Sequence, residues 1–410
     1  MPERPLRRGA IVASALATPT GPAPVRGRSF GEPLVLREAG VAWEDGVITY
    51  VGPADGLPVQ SPEVVEGGLI VPGFVDCHTH LPFVGWRDDE FEARLAGAAY
   101  RGLHGEGGIY RSARLLAEAD DEEVLAFCLP LVREMAEHGT TALELKTGYG
   151  LSLEAELRQA RLARRLAAEA PQTCTVTLLA CHAVPRGTAR EDWVRAVCTE
   201  LIPAVAAEGL ADAVDVYVED IAFSIQDLRT VAEAAVGAGL PIRCHADQLG
   251  PSGAAEAAVA LGARSADHLN HVSEDGVAAL AGADTAAVLL PASSFLMRAN
   301  PPPARRMIDA GAAIALATDF NPGTSPVLSM PEAVAFGCVW YGLIPHEALT
   351  AATLNAAWVL DLHERTGSLE VGKDADLVVL DARAFRQVPY RPGHDPVLAT
   401  FVQGRSVARA

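Results

Sequence analysis

Residues 71–80 read VPGFVDCHTH, an apolar run that stops at two histidines spaced i, i+2. As a β-strand, this run sends His78 and His80 to one face and Thr79 to the other, because successive side chains alternate across a strand. Two imidazoles on one face can grip a single metal ion; two hydrogen-bonded histidines at a strand end are the plainer alternative. The apolar residues ahead of them suit a strand buried on both faces, as parallel strands inside α/β proteins are. An HxH pair alone does not decide the chemistry. Its recurrence as a pattern of polar strand ends does.

After residue 70, short β-branched apolar runs alternate with Ala/Leu/Glu/Arg segments of helical period. The strand-like runs are 69–80, 141–147, 175–183, 213–220, 241–247, 265–272, 286–292 and 313–320, with helices expected over 121–138, 152–170, 191–208, 225–238 and 302–310. That alternation predicts an α/β fold, a (β/α)8 TIM-like barrel. At their C-terminal ends the runs carry His78/His80, Lys146/Tyr149, His182, Glu219/Asp220, His245, His268 and Asp319; only the seventh, near 291–294, offers no strong ionisable group. A doubly wound open sheet has no reason to place polar groups at nearly every strand end. In a barrel those ends meet on one face, where active sites sit.

The termini read differently. Residues 33–51 hold two strand-like runs around Asp45-Gly46, a hairpin turn pair, and 367–381 and 397–407 again read as short strands. Both ends of the chain are therefore expected to build one small β-sandwich domain, from 1–68 and 367–410, beside a barrel over 69–366.

The 410 residues carry 52 acidic against 33 basic side chains, a net charge of −19. Nucleic acid and anionic membrane surfaces are poor partners for such a chain. No apolar run is long enough to span a bilayer. Arg7 and Arg8 ahead of the apolar stretch 10–17 loosely resemble a signal peptide, but Ile11-Val12 reads equally as a first strand. Seven cysteines, an odd number with no CxxC, point away from disulfides and thiolate clusters and towards a reducing cytoplasm.

His78, His80, His245 and Asp319 together offer three imidazoles and a carboxylate, a donor set that leaves a position for water and would bring that water's pKa from 15.7 to roughly 7. Asp319 in ATDFNPGTSP also reads as a helix N-cap. His268 in SADHLNH is a candidate for polarising a substrate carbonyl or moving protons; a hydrogen-bonded core histidine is the alternative. Gln248, three residues after His245, is an amide that can orient a substrate at the catalytic centre but not exchange protons, which weighs against metal-assisted deamination. Arg87 can hold a carboxylate with two hydrogen bonds, or form a surface ion pair with Asp88, Asp89 or Glu90. Tyr149 and His182 sit just past strands, where a packed Tyr and a capped His are equally good readings.

VPGFVDCHTH, HADQ, SADH, ATDFNPGTSP and the tail LTAATLNAAWVLDLHERTGSLEVGKDADLVVLD resemble the metal-dependent amidohydrolase superfamily. The loop FVGWRDDEFEARLAGAAY, then GEGGI, ELKTGYGL, ACHAVP and DFNPGTSP are similar, in order along nearly the whole chain, to the branch that opens 4-imidazolone-5-propanoate to N-formimino-L-glutamate. The resemblance implies zinc or iron on His78, His80, His245 and Asp319. It implies an anionic small-molecule substrate held by Arg87, Tyr149, His182, Gln248 and Thr324, with Asn321 and Gly323 contacting the open-chain product. It also implies a homodimer, for which the residues carry no interface pattern. Phe83–Trp86 and GLHGEGGI depart from that branch's usual sequence, so Trp86 is expected to narrow or reshape the pocket and a related carboxylated cyclic amide stays open as substrate. A metal-poor scaffold is the reading from another class. Gly102–Gly108 is a candidate mobile segment.

Overall fold

The structure, a computed structural model, describes residues 8–58, 62–98 and 107–409. Most of the glycine-rich 102–108 stretch, and Arg7, therefore lie outside the described residues. Four strands open the chain: β1 (Arg8–Thr18), β2 (Leu34–Glu44), β3 (Val47–Pro53) and β4 (Glu63–Pro72). Eight short ones follow: β5 (Phe74–Asp76), β6 (Thr140–Lys146), β7 (Thr173–Cys181), β8 (Ala213–Val218), β9 (Ile242–Ala246), β10 (Ser265–His268), β11 (Ala286–Leu289) and β12 (Ile314–Leu316). The chain ends in β13 (Leu377–Leu380), β14 (Val397–Val402) and β15 (Arg405–Arg409).

β5 to β12 form one parallel sheet in sequence order, each strand pairing with the next, with register shifts between β5 and β6 and between β7 and β8. The seam between β5 and β12 is shut by polar ties. The Asp76 carboxylate accepts from Thr318 N and Oγ1 at 3.1 and 2.6 Å, and His80 N donates to Phe320 O at 2.9 Å. The (β/α)8 expectation holds, although several strands are shorter than their apolar runs: β5 and β12 end before His78, His80 and Asp319, whereas His245 and His268 lie on β9 and β10.

The remaining strands make a single sheet in the order β15-β14-β13-β4-β1-β2-β3. It is antiparallel except where β1 runs parallel to β4. Asp45 and Gly46, both at positive φ, turn the β2–β3 hairpin. The sandwich is thus one sheet curled on itself: Trp43 on β2 meets Phe401 on β14, ring centroids 5.5 Å apart, over a core that includes Ile11, Leu16, Ile70 and Leu377. The 10–17 stretch is interior to β1, so its apolar character serves this core.

The first expected strand, 69–80, is two strands. It breaks at Gly73, whose N–H turns to Asp376 O at 3.0 Å, so 69–72 belong to the small sheet and not to the barrel. A Cβ at Gly73 would stand 2.0 Å from Thr141 Oγ1 on β6. Gly73→Ala is expected to cost about 1–3 kcal/mol through overpacking, read as a lowered denaturant midpoint with unchanged slope.

Helices close the units between strands. Asp120 with Glu123 and Ser224 with Asp227 form capping boxes at the starts of Asp121–Glu137 and Ile225–Gly237, each satisfying otherwise orphaned amides. The helix expected over 191–208 widens to a π-turn at Val197–Leu201. Pro203 behind that turn has no N–H to return to the preceding turn.

Candidate active site

The C-terminal strand ends do converge. His78 and His80 follow β5, His245 lies on β9, His268 ends β10, and Asp319 lies three residues past β12. All five are buried. Asp319 Oδ1 is 3.6 Å from His78 Nε2 and 3.3 Å from His80 Nε2. The ring centroids of His78 and His245 are 4.5 Å apart, and those of His78 and His80 5.2 Å. Asp319 is not a helix N-cap: it sits at φ 56° before the turn 321–325, and the next helix, Met330–Val339, is capped by Ser329. His268 also takes a positive φ, 77°, which swings its ring towards His78 and His245 at centroid distances of 5.5 and 5.3 Å.

Behind the rings stand carboxylates. Asp267 Oδ2 accepts from His78 Nδ1 at 2.6 Å, and Asp215 Oδ2 lies 3.0 Å from His245 Nδ1. With Nδ1 turned to a carboxylate, each ring keeps its Nε2 lone pair for the cavity, and neither Nε2 has a hydrogen-bond partner. Orphaned Nε2 atoms from two rings, a third imidazole and a carboxylate within 3.6 Å fit a divalent metal of the zinc or iron type. Burial, reinforced by the neighbouring cations and imidazoles, holds His78, His80 and His182 well below the ordinary imidazole range. Burial pushes His268 down to about 3, so its imidazole is neutral near pH 7.

One cavity collects nearly all the residues expected from sequence: His80, Arg87, Tyr149, His182, His245, Gln248, His268, Asp319, Asn321 and Thr324 line it, with Ile109 and Tyr217. Arg87 is no surface ion pair. It is 3% exposed, its Nε stands 3.8 Å from Glu90 Oε2, and Nε and Nη1 have no hydrogen-bond acceptor. The ring of His182 stacks on His80 at 5.1 Å, and its Nδ1 meets Gly148 O at 3.2 Å. Gln159 Oε1 accepts from Gly148 N and Tyr149 N at 3.1 and 3.0 Å, while its Nε2 donates to Pro82 O, stitching the Tyr149 loop to the loop after β5.

The 319–325 turn is organised by Asn321. Its Oδ1 accepts from Gly323 N, Thr324 N and Thr324 Oγ1, and its Nδ2 donates to Asp319 O. Gly323 does not line the cavity. It backs the Arg87 guanidinium, where a Cβ would stand 1.6 Å from Nη2, and its carbonyl accepts from Arg94. Trp86 stays out of the cavity too. It packs on Phe83 and Phe127 at 5.5 and 5.7 Å and lines a neighbouring pocket with Arg87 and Phe91, so the expectation that it narrows the cavity is corrected. Glu219 and Asp220 turn away to a neighbouring cleft, Glu219 accepting from Leu249 N.

Sequence reading missed Tyr217 and, in the charged layer under the rings, Glu144, Asp215, Arg243 and Asp267; Lys146 it placed only as a polar strand end. A signal existed: Glu144/Lys146, Asp215/Tyr217 and Arg243/His245 are i, i+2 pairs on β6, β8 and β9.

Residues 69–407 match the amidohydrolase family. The imidazolonepropionase of Rubrobacter xylanophilus is 42% identical over 399 residues, covering 95% of this chain and 96% of its own. That of Symbiobacterium thermophilum is 40% identical over 98% of both chains, and that of Methylobacterium nodulans 43% identical over 91% and 95%. Among solved structures, a zinc-bound adenosine deaminase from Xanthomonas campestris superposes with TM-score 0.74 at 20% identity, covering 97% of this chain and 92% of that one. A triazine hydrolase variant superposes at 0.76 with 12% identity, over 98% and 95%. These two share the fold. No helix among the described residues is long and apolar enough to cross a membrane.

Proposed function

The chain belongs to the amidohydrolase family, and on that premise we propose that it hydrolyses the cyclic amide of 4-imidazolone-5-propanoate to N-formimino-L-glutamate, as a step in histidine degradation. The observation that carries this reading is the single cavity shared by His80, His245 and Asp319 with a buried Arg87 that lacks acceptors for two of its nitrogens. A buried guanidinium with donors still open beyond its ion pair to Glu90 can take a second anionic partner, and the propanoate supplies one in an otherwise acidic protein.

His78, His80, His245 and Asp319 would hold the metal, zinc or iron, whose Lewis acidity makes water available as a nucleophile near neutral pH. Arg87 binds the propanoate; Tyr149, His182, Gln248 and Thr324 orient the ring. Neutral His268 donates an N–H to the carbonyl oxygen as charge develops there. Asp319 accepts a proton from the attacking water and passes it to the ring nitrogen as the C–N bond breaks. Water thus adds its oxygen to carbon and its proton to nitrogen. Asn321 reaches the open-chain product from the 319–325 turn, and Gly323 contributes by leaving room for Arg87. A deaminase reading gains nothing here, since Gln248 brings an amide to the cavity. The same family reading makes the active form a cytoplasmic homodimer.

Turnover of freshly generated imidazolonepropionate, followed as loss of its ultraviolet absorbance, tests the reaction. Rapid loss that a chelator abolishes and metal restores is expected; a metal-loaded protein without turnover sinks the assignment. His268→Ala is expected to lower kcat by about 10²–10³-fold with little change in KM, as loss of one oxyanion donor does. A KM-only effect would remove His268 from the transition state.

A further inference from the structure

Beneath the proposed metal ligands lies a second charged layer that the reaction above does not use. Lys146 Nζ stands 2.7 Å from Asp215 Oδ2, 2.9 Å from Glu144 Oε2 and 3.9 Å from Asp267 Oδ2, and all four side chains are at most 1% exposed. Two of these carboxylates are the ones that face His245 and His78. Arg243 pairs with the far side of Glu144. Among the described residues, three buried carboxylates therefore face two cations, of which Lys146 stands at the centre of the group. Ligating atoms of Asp215, His245 and Asp267 come within 4.8 Å of one another, a spacing that could hold an ion, and Asp215 Oδ1 has no hydrogen-bond donor.

We propose that the Lys146 ammonium takes the place of a second metal ion, holding Asp215 and Asp267 as acceptors for His245 and His78 and limiting the chain to one metal. This rests on reading His78, His80, His245 and Asp319 as the ligands of a single ion. Buried carboxylates this close repel and require a cation between them. Lysine suits the place because its ammonium is a compact charge with three donors on a flexible stem, able to face three carboxylates at once, where the planar guanidinium fork could not. Being covalently tethered, it does not exchange with solution metal.

The test is metal content per folded chain, by elemental mass spectrometry, after expression in zinc-supplemented medium and gel filtration, with circular dichroism on the same samples. The wild type is expected to hold one ion, Lys146→Ala two, and Lys146→Ala with Glu144→Gln, which removes one carboxylate from the nest, one again. A folded Lys146→Ala chain with one ion overturns the proposal, as does one that zinc cannot bring to the folded state. Two ions in the double variant also overturn it, since the extra ion would then sit elsewhere. A wild type without metal overturns the single-ion reading itself, independently of Lys146.

Discussion

Asp319→Asn is expected to lower kcat by about 10³-fold even in samples reloaded to full metal content, because on the proposed reading it removes a carboxylate that serves twice. Asp319 Oδ1 lies 3.3 Å from His80 Nε2, as a fourth donor to the imidazole group must, and the same side chain lines the substrate cavity, as a proton carrier must. Burial raises its pKa above the ordinary carboxyl value while the neighbouring imidazoles pull it down. Asparagine has the same shape and can keep the turn, since the backbone carbonyl of 319 accepts from Asn321 in either case. Steady-state kinetics with metal measured on the same sample checks this. A fully loaded variant within tenfold of wild type would take proton transfer away from Asp319.

Arg87→Ala is expected to reduce kcat/KM by about 2–5 kcal/mol, roughly 30- to 5,000-fold, mostly through KM. Arg87 is held from three sides, through its backbone as well as its guanidinium. Arg87 N donates to Pro322 O at 3.0 Å, Glu90 lies beside Nε, and Gly323 lets Nη2 approach closer than any side chain would allow. Glu90 in turn accepts from Gly108 N at 2.9 Å, tying this corner to the helix Gly108–Glu118 that brings Ile109 to the cavity. Lysine should rescue little, because a point charge does not reproduce two parallel hydrogen bonds to a carboxylate. The discriminating measurement uses a substrate analogue whose carboxylate is replaced by an amide. Wild type and Arg87→Ala should turn it over at similar efficiency. A persisting gap would mean that Arg87 supports the fold of the site and not the substrate's charge.

Sequence alone carried the barrel and most of its site because both are written locally. A strand ending in His-x-His, or an apolar run stopping at His245 or Asp319, has period and polarity within ten residues, and the barrel rule turns those endings into one convergent face. The hairpin at Asp45-Gly46 was legible for the same reason. What tertiary structure decided were contacts between residues far apart along the chain. Gly73 ends a strand because Thr141 and Asp376 meet it there. Trp86 leaves the pocket because Phe83, Phe127 and Phe320 form an apolar bed below the loop. Lys146, one of many polar strand-end residues in the sequence, becomes a buried counter-ion only when Glu144, Asp215 and Asp267 close around it. Periodicity states which face a side chain points to; which charges meet on that face depends on the order and register of strands, and those are fixed only when the barrel closes.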